Sequence, residues 1–233
     1  MNATDFDRFA DEYQSIHAKN INISGESPDY FAEYKIKDLG DEVLAVHGME
    51  LEGPNILDFG AGIGTSLPYF KKYFNNPSVT CLDVSKKSLD VGKARFPGEA
   101  EFIHFNGSQL PFADSSFDIT FAACVFHHIN HREHPLFLKE FHRVLSPAGV
   151  ALIFEHNPYN PLTVKAVTTC PFDEDALLIR ASTFRKRLIE AGFNHVQIRY
   201  RIFFPHILRV LRPAEKFITW LPLGAQYYAL AIK

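Results

Sequence analysis

Residues 55–65, N-I-L-D-F-G-A-G-I-G-T, decide how this chain folds. Ile56 and Leu57 read as the end of a buried strand, and Asp58 places a carboxylate at its exit. Gly60, Ala61, Gly62, Ile63 and Gly64 then turn the chain tightly into a helix that carries Leu67, Phe70 and Lys71. Glycine suits such a turn because the backbone bends sharply and a ligand can approach it bare. Thr65 stands where a third glycine would complete the dinucleotide fingerprint G-x-G-x-x-G. Asp58 would repel a pyrophosphate, whereas it would attract an ammonium or sulfonium group. The turn therefore suits a nucleoside ligand that carries positive charge.

Downstream of the turn the pattern alternates strand and helix, which predicts a parallel sheet with helices on both faces. Strands are expected at 79–83, 101–105, 117–125, 150–155, 196–203 and 227–232, and helices at 85–95, 134–145 and 182–191. Ser85 is a candidate N-cap, and Gly192 a helix stop. Before the turn, Phe6, Phe9 and Tyr13 recur near helical spacing, and a second helix is expected over 29–47. The chain divides into a helical cap at 1–50 and a core at 51–233, with substrate-side insertions at 157–175 and 204–225. Asp83 closes the second strand 21 residues beyond Gly62, where a Rossmann-like fold places an acid that accepts from ribose hydroxyls.

Composition narrows the classes of function. Of 233 residues, 46% are apolar and 22% charged, as in an ordinary globular protein. A net charge of -3 argues against a broad nucleic-acid surface. Apolar runs are too short to span a bilayer, and residues 1–10 lack a signal-peptide core. Three scattered cysteines suggest neither a disulfide framework nor a zinc motif. A cytoplasmic protein acting on a small molecule is the expectation, with no nucleic acid and no membrane insertion.

I-L-D-F-G-A-G-I-G resembles the first motif of class I S-adenosylmethionine-dependent methyltransferases, the loop that wraps the cofactor's methionine half. F-N-G-S-Q-L-P-F at 105–112 and K-E-F-H-R-V-L-S-P-A-G at 139–149 resemble later segments of the same family. The resemblance implies a three-layer, Rossmann-like sheet of seven mostly parallel strands, with the last one antiparallel beside the sixth. It implies S-adenosylmethionine as cofactor, contacted by Asp58, Gly60, Ala61, Gly62, Gly64, Asp83, Val84 and Cys124. Asn106, Gly107 and Ser108 would edge the adenine, with Asn106 standing where aspartate is more usual. The N-terminal segment would lie over the cofactor, with Tyr13 as a contact, and with His17, Tyr34 and Lys37 as further candidates.

In the same family the loop after the fourth strand faces the methyl group. Here that loop carries His127 and His128, either of which could take a proton from a hydroxyl or amine acceptor, with His128 slightly preferred. Glu155, His156 and Asn157 leave the fifth strand at its C-terminal end, where open α/β sheets bind ligands, and could recognise the acceptor. No metal site is expected. The run His127, His128, His131 and His134 straddles a loop and a helix start, with no nearby Cys or acidic ligand cluster to complete a site. Asp173, Glu174 and Asp175 read as charges that complement a following helix dipole. Two other functions fit less well: a nicotinamide-dependent oxidoreductase on a similar fold, and a binding module that keeps the pocket without catalysis.

Overall fold

The computed structural model describes Asp7 and residues 24–171, 173 and 175–233. Seven strands form one sheet: β1 (Asn55–Phe59), β2 (Ser78–Asp83), β3 (Glu101–His104), β4 (Phe117–Ala123), β5 (Leu145–His156), β6 (His195–Arg201) and β7 (Gln226–Ile232). Their order is β3-β2-β1-β4-β5-β7-β6, and only the pairings of β7, with β5 and with β6, are antiparallel. The order reverses between β1 and β4, so the crevice above their C-terminal ends is where this topology binds ligands.

Both faces of the sheet are apolar, so its central strands read as unbroken hydrophobic runs. Leu57, Phe59, Ala151 and Ile153 point to one side, where helices α4 (His134–Val144) and α6 (Ala181–Glu190) bury Phe137, Phe141 and Phe184. Ile56, Phe121, Leu152 and Phe154 point to the other, against α1 (Pro28–His47) and α2 (Leu67–Tyr73). α3 (Lys86–Arg95) starts where the Ser85 hydroxyl accepts from Ser88 N at 3.0 Å, the expected N-cap.

α1 starts at Pro28, with the Ser27 hydroxyl capping Tyr30 N, and stops at Gly48, whose φ of 70° ends the helix. It is fastened across the sheet by Asp38, which takes a two-pronged pair from Arg201 of β6 at 2.6 and 2.8 Å. The buried Tyr34 hydroxyl donates to Gln226 of β7. Tyr13 and His17 lie outside the described residues. The segment at 157–175 contains a helix, α5 (Pro161–Thr168), capped by Asn160. The segment at 204–225 holds a 3-10 stretch, His206–Phe217, tied back by Glu215, which accepts from Phe203 N and Phe204 N.

Candidate active site

The glycine turn follows from three backbone demands. Gly60 has φ 73°, and a Cβ there would lie 2.5 Å from Val125 Cγ2, so a side chain would collide with the loop after β4. Gly60 N and Ala61 N both donate to Leu82 O, at 2.8 and 3.2 Å, which locks the turn onto β2. Gly62, φ 53°, donates its N–H to Asp83 Oδ2 at 2.8 Å, and a Cβ on it would meet nothing within 4 Å. That open space belongs to a cavity of about 310 Å³, within the range of small-molecule sites.

Two carboxylates face this cavity beside the glycine turn. Burial, reinforced by the negative charge of Asp83, pushes Asp58 up to about 7. Its Oδ2 is buried with no hydrogen-bond partner among the described residues, a polar atom left for a ligand to satisfy. Asp83 is also raised by burial, against the N–H groups of Ser85 and Gly62 that it accepts from. Its oxygens retain lone pairs on the cavity side for further donors. Asp7 stands close by, accepting from the Ser85 hydroxyl at 2.6 Å and from Lys87 N at 3.2 Å.

The far wall is a cluster of imidazoles and acids. The chain leaves β4 through Cys124 at φ 59°, a conformation uncommon outside glycine, and swings into the 3-10 turn Phe126–His128. Glu155 fixes that turn from below, accepting from Val125 N at 3.1 Å, Phe126 N at 2.7 Å and His127 Nδ1 at 2.7 Å. Asp173 approaches from above, 3.4 Å from His127 Nε2 and 3.3 Å from His128 Nε2. Its loop is pinned by Leu177 N, which donates to His127 O at 2.8 Å.

The charges follow from this arrangement. Burial opposes a charge on His127, but the Glu155 and Asp173 carboxylates outweigh it and push the ring up to about 10. Burial and the charge on His127 hold His128 below its ordinary value and bring His156 down to about 4. Burial likewise disfavours a charged Asp173, yet the two rings keep it well below the usual carboxylate range. His127 is thus a cation between two anions, and His128 and His156 are neutral rings on the cavity wall.

Asp58, Gly60, Ala61, Gly62, Asp83 and Cys124 all line the cavity, as do His127, His128 and His156. Gly64 lies behind the turn against Leu67 and Phe96, and Val84 is packed in the core. Asn106, Gly107 and Ser108 form a turn beyond β3 in which Asn106 Oδ1 accepts from the backbone N–H and hydroxyl of Ser108. Val84 and this turn are not part of the cavity wall.

The expectation that Glu155 and Asn157 touch the acceptor is corrected. Glu155 is fully buried, and three donors of its own chain occupy it. Asn157 is spent on Pro222 O, Gly224 O and Tyr159 N, stapling two loops. The dipole reading of Asp173 is corrected too, because the next helix begins only at Ala181. In α1 it is Pro28, Phe31, Ala32 and Lys35 that line the cavity, while Lys37 pairs with Asp41 at the surface. Helical period could have singled out Phe31 and Lys35, which share a face; nothing in sequence links Asp173 to His127.

Residues 57–153 match the family described as methyltransferase domain. Curated relatives include the ubiquinone/menaquinone biosynthesis C-methyltransferase of Hahella chejuensis, 29% identical over 52% of this chain and 50% of that protein. The demethylmenaquinone methyltransferase of Chlorobaculum parvum is 35% identical over 48% and 45%. The chain therefore spans about half the length of the curated relatives it matches. Among solved structures, a methyltransferase from Thermotoga maritima, described as a possible histamine N-methyltransferase, superposes with a TM-score of 0.66 at 17% identity. It covers 99% of this chain and 98% of that one. Phosphoethanolamine N-methyltransferase 2 of Haemonchus contortus, solved with S-adenosylmethionine, superposes at 0.60 with 17% identity, over 84% of this chain and 52% of that one. Residues 57–153 thus match a methyltransferase domain, and the chain as a whole shares the Rossmann-like fold of these solved methyltransferases.

The family's cofactor fits the residues present. The unpartnered Asp58 Oδ2 suits an ammonium, the bare Gly62 leaves room against the turn, and Asp83 suits ribose hydroxyls.

Proposed function

We propose that this protein transfers a methyl group from S-adenosylmethionine to an oxygen or nitrogen atom of a small molecule. One observation carries the reading: a single cavity joins the glycine turn, Asp58 and Asp83 to the wall formed by His127, His128 and His156. The cofactor supplies an activated methyl group. The chain's own part is to hold donor and acceptor in line and keep water out, which can supply roughly 7–11 kcal/mol of the barrier. A general base adds only about 10²–10⁴-fold.

His127 already holds its proton between two carboxylates and cannot take another, so it orients the loop. His128 is the neutral ring of the pair, and with His156 it gives the acceptor's reacting end a polar wall. Phe31, Ile202, Phe203 and Val167 supply apolar surface for the rest of the molecule. The relatives named for quinone methylation and the neighbours named for amine methylation act on their own substrates. Incubation with methyl-labelled S-adenosylmethionine and a panel of phenols and amines tests the reading. Label should pass to an acceptor as S-adenosylhomocysteine accumulates in equal amount; labelled product from none of the panel, in a protein that binds the cofactor, would favour a binding module.

A further inference from the structure

We propose that His127, His128 and Asp173 bind a divalent transition-metal ion at the acceptor end of the cavity. The three side chains come from two separate segments, the turn after β4 and the loop after α5. One ligand atom from each lies within 4.8 Å of the others. All three residues line the cavity, and His127 is fully buried.

The separations bear on the choice between an ion and direct hydrogen bonds. Asp173 Oδ1 is 3.4 Å from His127 Nε2 and 3.3 Å from His128 Nε2. Good N–H···O contacts are shorter, about 2.7–3.2 Å. Ligands held at about 2.0–2.1 Å around a tetrahedral ion stand roughly 3.3 Å apart, from geometry alone, which both Asp173 separations match; the two imidazole nitrogens, within 4.8 Å of each other, would close toward that spacing around an ion. Two imidazoles and one carboxylate are a donor set for zinc or iron(II), with at least one position left open.

The surrounding contacts are those a metal-bound histidine needs. Glu155 Oε2, 2.7 Å from His127 Nδ1, fixes the ring so that Nε2 points at Asp173; a bound ion would take the place of the Nε2 proton, which leaves to solvent, while Nδ1 keeps its own proton against Glu155. Glu155 itself is held by Val125 N and Phe126 N, and the Asp173 loop by Leu177 N on His127 O. His131 and His134 do not join the cluster. His131 Nε2 is at Leu177 O, and the ring nitrogens of His134 contact Phe126 O, Ile129 O and Arg187.

The open position faces the cavity, which selects an acceptor with a ligating oxygen, such as a phenol or an adjacent diol. Such a hydroxyl loses its proton to water on binding the ion. The oxygen then forms its bond to the methyl carbon as the carbon–sulfur bond breaks and the pair stays on sulfur. This acceptor class rests on the methyl-transfer reading, whereas the metal site does not.

Titration of chelator-stripped protein with cobalt(II), read by visible absorption, and with zinc, read by calorimetry, tests the site. The proposal expects one equivalent bound in the micromolar range or tighter. Asp173→Asn and His128→Ala should each weaken binding at least 100-fold, Glu155→Gln roughly 10–100-fold, and His131→Ala less than threefold. S-adenosylhomocysteine affinity, measured on each variant, reports an intact fold. Catechol should shift the cobalt spectrum; no shift would overturn the acceptor class alone. Failure of the wild type to bind either metal, or binding indifferent to both Asp173→Asn and His128→Ala, would overturn the site. A protein that takes up metal but no S-adenosylhomocysteine would instead contradict the methyl-transfer reading.

Discussion

Asp58 and Asp83 are two acids set at one crevice, and their different partners give them different work. Asp83 keeps its geometry through Gly62 N and Ser85 N. Asp83→Ala removes an acceptor for two ligand hydroxyls and frees both backbone donors. Hydrogen bonds to charged groups are worth roughly 1.5–3 kcal/mol, so affinity for S-adenosylhomocysteine should fall about 10–100-fold by calorimetry. Asp58 gives a pH signature. Its folded value of about 7 lies above that of an unfolded aspartate, near 4. Its contribution to stability is therefore full below about pH 4 and lost as pH rises through about 7. An ammonium ligand prefers the carboxylate form, so affinity should climb by up to tenfold per pH unit below 7 and level off above. In Asp58→Asn the slope should vanish and affinity should be low throughout, while the free protein melts higher than wild type at pH 7.5.

At the scale of the element, the two central glycines of the turn separate folding from binding. Gly60→Ala drives a Cβ to 2.5 Å from Val125 at a positive φ, and should cost about 2–4 kcal/mol of stability in denaturant melts. Gly62→Ala meets open space, so it should lose only about 1 kcal/mol of stability but at least tenfold in cofactor affinity. Elements whose signal is local were legible in sequence: the turn itself, the Ser85 cap, α1, and the strands within a few residues. β5 begins at Leu145, earlier than expected at 150, because Leu145 pairs with Phe117 across a register shift and Ala148 takes a left-handed φ. α5 escaped notice although Asn160-Pro161 is a cap followed by a first-turn proline. Eight residues with little periodicity hid it. Asp173 was out of reach for a different reason: its partners His127 and His128 are some 45 residues away in sequence, and only the fold joins them.

Across the whole molecule, the site depends on α1 lying over the sheet. Asp38 and Arg201 tie that helix to β6 through a partly shielded pair, and Tyr34 ties it to β7. Burial raises Asp38 to about 6 in spite of Arg201, so the pair sits where desolvation matters. Asp38→Asn leaves the guanidinium without its anion, which costs about 3–5 kcal/mol when such a pair is buried and less here. Thermal denaturation should show this loss, and affinity for S-adenosylhomocysteine should fall with it as Phe31 and Lys35 shift from the cavity wall. No helix among the described residues is long and apolar enough to cross a membrane. The central claim is that the cavity over β1 and β2 holds a cationic adenosyl ligand. Its most direct test is calorimetric titration of wild type and Asp83→Ala with S-adenosylmethionine, S-adenosylhomocysteine and NADH. Both adenosyl ligands should bind, the substitution should weaken both, and NADH should give no signal. NADH binding without adenosyl binding would contradict that claim.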